Sequence, residues 1–196
     1  MGAIGGIGIL AFIIVGGIAL LLVFLVVWGI AVYNRLTRSR IDAQGAFSGI
    51  DVELKRRHDL VPNLVNTVKG YAAHEKGTLE GVISARAAAV RPNQSMDERL
   101  KAEGQLTAAL GRLMAVAEAY PDLKANQNFL QLQGELSNIE NRIAGARGGY
   151  NNSVQGYNTQ AAVFPDAILA RMFGFQAMPF FEVDDPSQRN APQVQF

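Results

Sequence analysis

Two histidines, at positions 58 and 74, carry the metal-binding and proton-transfer options of this chain. No cysteine is present to act as nucleophile, thiolate ligand or disulfide partner. His74-Glu75 begins like the helix of a zinc protease. That motif needs a second histidine one turn further on, and Thr78 stands there. A di-iron bundle needs Glu-x-x-His pairs, but the residues three before the histidines are Lys55 and Tyr71. No Gly-x-x-x-x-Gly-Lys phosphate loop occurs, and the glycines at 145–149 fall inside a helical repeat rather than after a strand. The residue types argue against an enzyme, and no catalytic residue, cofactor or metal is expected.

Lys55-Arg56-Arg57-His58 is the densest charge cluster. Such a cluster suits anionic lipid or nucleic acid, but Asp51, Glu53 and Asp59 flank it. Intra-helical ion pairs, worth a few tenths of a kcal/mol each, are the simpler account. Arg57 stands apart because its spacing points it into an apolar seam. A desolvated guanidinium needs an acceptor, and a carboxylate from another helix, Glu118 or Glu140 for instance, would make a register-fixing structural pair.

The elements that position these residues begin with a long apolar run. No Asp, Glu, Lys or Arg precedes Arg35, so all the charges of the 196-residue chain lie beyond it. About 20 apolar residues cross a hydrocarbon core, and 3–32 exceed that. Trp28 and Tyr33 sit near the end of the run, where amphipathic rings favour the headgroup level. A cleaved signal peptide would need a cationic start, a shorter core and a small-residue cleavage site; none is present. A retained single-pass anchor over 1–33 is expected. Arg35, Arg38 and Arg40 follow it directly, so the positive-inside rule puts the N-terminus outside and the C-terminal domain in the cytoplasm.

Beyond Arg35 helical periodicity dominates. Phe129, Leu132, Leu136, Ile139, Ile143, Ala146, Tyr150, Val154, Tyr157 and Ala161 recur at spacings of 3 and 4, an a/d seam. A second seam runs Phe47, Ile50, Leu54, Arg57, Val61, Leu64, Val68, Tyr71. Pro62 lies within it and cannot donate to the His58 carbonyl, which predicts a kink or turn. A shorter stripe of Leu79, Val82, Ile83, Arg86 and Val90 ends at Arg91-Pro92-Asn93. The next helix starts near Ser95, with Asp97 and Glu98 in its first turn and a face of Leu100, Thr107, Leu110, Leu113 or Met114, and Ala117. Pro121 ends or bends it. With no polar break after Val32, the transmembrane helix can run straight into the next one. The fold class is all-α: a transmembrane helix followed by an antiparallel, four-helix-type bundle over 34–182.

Five of the ten phenylalanines, Phe164, Phe173, Phe175, Phe180 and Phe181, cluster near the end. They can cap the bundle, bind a partner or lie at the membrane surface. A short helix after Phe164-Pro165-Asp166 can terminate at Gly174. Residues 183–196 read as a disordered polar tail.

The stretches 50–75 and 117–126 resemble the LemA family. So do Asn128-Phe-Leu-Gln-Leu-Gln133, Glu140-Asn-Arg-Ile-Ala144 with Arg147, Tyr150-Asn151, Tyr157-Asn158, Phe164-Pro165 and 172–181. The likeness covers roughly 33–182. It implies a bacterial protein with an N-terminal membrane helix and a long-helix bundle, in a family with a magnetosome-associated branch implicated in membrane invagination. It carries over no catalytic residue. On this reading Pro62 and Pro121 mark kinks, and Tyr71, Tyr120, Phe129 and Tyr150 fill the core. Asn63, Asn126, Asn128, Asn141 and Asn151 suit caps and inter-helix hydrogen bonds, or else line a binding groove.

The expected function is a non-enzymatic, membrane-anchored scaffold that self-associates and organises proteins or membrane. The alternative is an accessory or adaptor subunit of a membrane protease or envelope-stress system, docking through 164–181. Expected partners are membrane lipid, further copies of the chain and a membrane protein, with no nucleic acid, since the net charge of +1 leaves no basic footprint. Gly45, Gly49, Gly145, Gly148, Gly149 and Gly156 offer small-residue positions for close helix approach.

Overall fold

A computed structural model describes residues 2–181, with side chains from residue 12 onward. The tail expected at 183–196 lies outside the described residues. The helices are α1 (Gly2–Lys69), α2 (Lys76–Ala89), α3 (Met96–Glu118), α4 (Pro121–Lys124), α5 (Gln127–Ala162) and α6 (Asp166–Met172), with no strand among the described residues. The chain divides into two compact units, and the long helices α1 and α5 contribute to both.

One unit, residues 46–151 with 180 and 181, is the helical bundle. Asp51 and Arg57 of α1 meet Arg99 and Glu103 of α3 in the same chain order, so these helices run parallel. Phe47 and Arg57 meet Tyr150 and Glu140 of α5 in reverse order, so α5 is antiparallel to α1. Tyr120, just past α3, donates to Glu75, just before α2. Asn126, just before α5, donates to Tyr71, just past α1. These pairings define an up-down-up-down bundle, in which each long helix is antiparallel to the next. Its core contains Ile50, Leu54, Val61, Leu64 and Val68 from α1, Leu79 and Val82 from α2, Leu106, Leu110 and Leu113 from α3, and Phe129, Leu136, Ile139 and Ile143 from α5. Each such side chain contributes roughly 1.5–3 kcal/mol by leaving water.

Local signals set the helix ends. Asn93 adopts φ 58° in the α2–α3 turn, a conformation asparagine tolerates. Ser95 and Glu98 form a reciprocal capping box, and its hydrogen bonds hold the Glu98 carboxyl below its usual pKa. Pro121 occupies the first turn of α4, where its missing N–H costs nothing. Asn126 caps α5, its Oδ1 accepting from the Phe129 amide at 3.0 Å.

At several positions the helix ends and buried faces differ from those expected. Helix α1 runs through Pro62 to Lys69 instead of turning there. Tyr71 does not fill the core. It is 44% exposed, because α1 ends at Lys69 and the seam's register lapses; Ala72 takes the buried place. Tyr120 is only half-buried, with its hydroxyl donating to Glu75. Ile83 and Val90 are exposed, and the buried face of α2 is Leu79, Val82 and Ala89. A Cβ at any of the six small-residue positions named above would meet nothing within 4 Å, so none marks a close approach within the chain.

The other unit comprises the chain up to residue 45 together with 152–179. All large apolar side chains from Phe12 to Val27 are exposed on α1. The described part of that helix is long and apolar enough to cross a membrane. At the end of the apolar run, Val32 and Leu36 form a small core with Leu169 and Ala170 of α6, joined by Trp28, Ala161 and Phe175. Gly174, at φ 71°, closes α6. There the Phe175 amide donates to the Ala170 carbonyl at 2.9 Å and Gly174 to Arg171 at 3.3 Å, as in a Schellman turn.

Candidate functional site

The chemistry-bearing side chains of the bundle converge on Arg57, which is 0% exposed. Its Nη1 donates to Glu140 Oε1 at 2.7 Å and to Thr107 Oγ1 at 2.9 Å, while Nη2 pairs with Glu103. Glu140 was among the acceptors expected for Arg57. Glu118 instead pairs with Lys124. Glu103 escaped sequence reading because counting apolar residues passes over a charge, although 103, 106, 110, 113 and 117 share one helical stripe and all are buried.

Both carboxylate oxygens of Glu103 are occupied, since Oε1 lies 2.9 Å from His58 Nε2. Burial pushes the Glu103 carboxyl up. The His58 hydrogen bond, the nearby charges and the Arg57 hydrogen bond outweigh it and hold the group below its usual range. Arg147 joins electrostatically. Burial and the like charge of Arg57 lower its pKa, against the pull of Glu140 and Glu103. Arg57 and Arg147 thus interact with Glu103 and Glu140 in this region, with His58 beside Glu103. Because the Glu103 oxygens are taken by internal partners, the geometry suits a fixed helix register rather than acid–base work.

Pro62 belongs to the same region. Its ring leaves the His58 carbonyl without the usual amide donor, and Arg86 of α2 supplies one, Nε donating at 2.7 Å. The proline therefore frees an acceptor through which α2 docks onto α1. Next to it, Arg56, Asp59 and Asn63 of α1 and Glu135, Asn138 and Arg142 of α5 line an open groove of about 620 Å³ carrying both signs of charge. No group of three or more His, Asp or Glu side chains placed to hold a metal ion occurs among the described residues.

Asparagine amides hold the chain that follows α6. In the anchor-proximal unit, Asn158 accepts from the Met178 amide at 2.8 Å and donates to its carbonyl at 2.9 Å, while Tyr157 donates to the Gln176 carbonyl at 2.8 Å. In the bundle unit, Asn151 grips the Phe181 backbone in the same way, at 2.8 and 3.2 Å. Tyr150 packs edge-on to Phe47, 5.5 Å between centroids. The two Tyr-Asn pairs are seven residues apart in the sequence. Burial raises the Tyr150 and Tyr157 phenol pKa values.

The five late phenylalanines separate. Phe181 is 3% exposed under the Arg147 guanidinium, 4.8 Å from its ring centre. Phe175 packs on the Val32–Leu36 core. Phe164, Phe173 and Phe180 stay exposed, so capping does not account for all five.

An all-α bundle whose first helix carries a membrane-length apolar stretch, with its buried charges paired internally, defines a class of membrane-anchored helical proteins. The LemA family model matches residues 46–196. The chain belongs to the LemA family. Among curated relatives, it is similar to magnetosome protein MamQ of Magnetospirillum gryphiswaldense, 27% identical over 174 residues, 76% of this chain and 64% of the relative. MamQ 2 of Paramagnetospirillum magneticum is also 27% identical, over 175 residues, with the same coverage. Protein LemA of Metamycoplasma hominis is 25% identical over 152 residues, 78% of this chain and 69% of the relative. The chain spans just under two thirds of the length of the MamQ proteins.

Proposed function

We propose that this protein is a non-enzymatic scaffold, anchored by the apolar part of α1, that self-associates and organises proteins or membrane, including membrane shape, at the cytoplasmic face. The observation that carries the reading is the fate of the bundle's chemistry. Arg57 is bound to Glu103 and Glu140, and His58 to Glu103, which supports a structural role for this buried titratable cluster. One helix, Gly2–Lys69, bears both the apolar stretch and Arg57. The likeness to MamQ supports the membrane setting. Arg35, Arg38 and Arg40 after the apolar run support a cytoplasmic bundle.

Native mass measurement and single-particle imaging of detergent-extracted full-length protein test self-association. The expected result is a closed or extended homo-oligomer, and a strict monomer at every concentration rejects it. Recovery of a fixed hetero-complex by in-cell crosslinking, with no self-contacts, would favour the adaptor reading instead. Protease digestion of intact cells against inverted vesicles tests orientation: the bundle should be cut only in the inverted vesicles.

A further inference from the structure

Helix α6 has two unlike faces. Its inner face, Leu169 and Ala170, packs on Val32 and Leu36, and a Cβ on Gly29 would lie 4.0 Å from Leu169. Its outer strip, Ile168 and Met172, continues into Val163 and Phe164 before the helix and Phe173 at its end; all five are apolar and between 53% and 78% exposed. An uncovered strip of this kind marks an interaction surface, and its position in the fold specifies the occupant. Gly29 and Val32 belong to the uncharged run that ends at Arg35. At 1.5 Å per residue they lie roughly 9 Å and 4.5 Å inside the first charge. Leu36 lies one residue beyond Arg35, so a helix packed along Gly29, Val32 and Leu36 straddles the end of the apolar run.

We infer that α6 is an interfacial helix, embedded in the leaflet where the anchor leaves the bilayer, with its Phe164–Ile168–Met172 strip among the lipid chains. The inference rests on the membrane-anchored reading above. Amphipathic helices that lie in a bilayer surface bury their apolar face about 5–10 Å into the headgroup–acyl boundary, which matches the depth set by Gly29 and Val32. The polar groups fit the same level. Asp166 is buried and pairs with Arg35, the first charge after the span, so no lone carboxylate enters the lipid. Exposed Arg171 can reach the headgroups from the strip's edge. Tyr33 stacks edge-on to Phe173 and Phe175, at 5.2 and 5.6 Å, placing three aromatic rings at the depth such rings prefer.

The chain has no cysteine, so single-cysteine variants need no altered background. Phe164→Cys, Ile168→Cys and Met172→Cys, each in the full-length protein, are spin-labelled and reconstituted into phosphatidylcholine–phosphatidylglycerol vesicles. Collision with oxygen, which concentrates in lipid, is compared with collision with a water-soluble nickel chelate. Leu22→Cys serves as the lipid control and Gln131→Cys as the water control. The expected oxygen-to-nickel ratio at all three labelled positions is several-fold above that of Gln131 and approaches that of Leu22. A ratio equal to that of Gln131 overturns the proposal. Poor access to both reagents also overturns it, since that is the signature of cover by a second copy or a protein partner. If the Leu22 label itself reports water, the anchor reading fails and α6 falls with it; a lipid-embedded Leu22 beside a water-exposed α6 rejects the inference alone.

Discussion

Replacing Arg57 by methionine removes a guanidinium from a site with no access to water while keeping a side chain long enough to fill it. The three acceptors left behind differ in what they lose. Thr107 is exposed and rehydrates, and the Glu140 side chain, at 35% exposure, recovers part of its hydration. Glu103, at 1% exposure, cannot, and keeps only His58. Breaking a buried pair from one side costs about 3–5 kcal/mol, and here Glu103 accounts for nearly all of it. For a chain of this size each kcal/mol moves Tm by roughly 2–4 °C, so Arg57→Met should lower the bundle's Tm by on the order of 10 °C. Far-ultraviolet circular dichroism melts of full-length protein in detergent read this directly. Adding Glu103→Leu removes the stranded carboxylate and should restore most of the loss, because apolar replacement of a buried pair is often near neutral. Arg57→Met within about 1 kcal/mol of wild type, or a double variant no better than the single, would refute the reasoning.

The depressed Glu103 pKa has a pH signature. The unfolded carboxyl titrates near 4.5 and the folded one lower, so this group's stabilisation is complete above 4.5 and is lost as the pH falls through the folded value. Denaturant midpoints below pH 4.5 should therefore drop less steeply for Glu103→Gln than for wild type. Arg86→Met strands the His58 carbonyl opposite Pro62 and should cost about 1–3 kcal/mol in the same unfolding assay. In a Pro62→Ala background, where residue 62 regains its amide, that cost should shrink; equal costs in both backgrounds would argue against a compensating role for Arg86. Asn158→Leu deletes both hydrogen bonds to Met178, and limited proteolysis should then cut within 175–181 faster than in wild type, with the α5 helix still protected. Unchanged cleavage would show that the clamp does not restrain that segment.

Periodicity made most of the architecture legible. The a/d rows of α1 and α5, the Ser95 start of α3, Pro121 and the Gly174 stop are local signals, and local signals depend on residues a few positions apart. The same logic misled at Tyr71, where a seam extrapolated past Lys69 met the end of the helix, and at Ile83 and Val90, where an apolar residue at helical spacing found no partner. Glu103 was illegible for a related reason: whether a charged position is core or surface depends on what stands opposite.

Side-chain types and their spacing were enough to show which segments are helical, where most of them stop, that one of them suits lipid, and that Arg57 needs a carboxylate. Those follow from side-chain type and spacing along a single helix. Which carboxylates meet Arg57, that Arg86 satisfies the carbonyl freed by Pro62, that Asn151 and Asn158 grip the chain after α6, and that α6 lies beside Val32 were decided only by tertiary structure. Each of those contacts joins residues from 20 to more than 130 positions apart. A contact of that kind depends on how the amphipathic faces pair, and no single helix's own pattern specifies its partner.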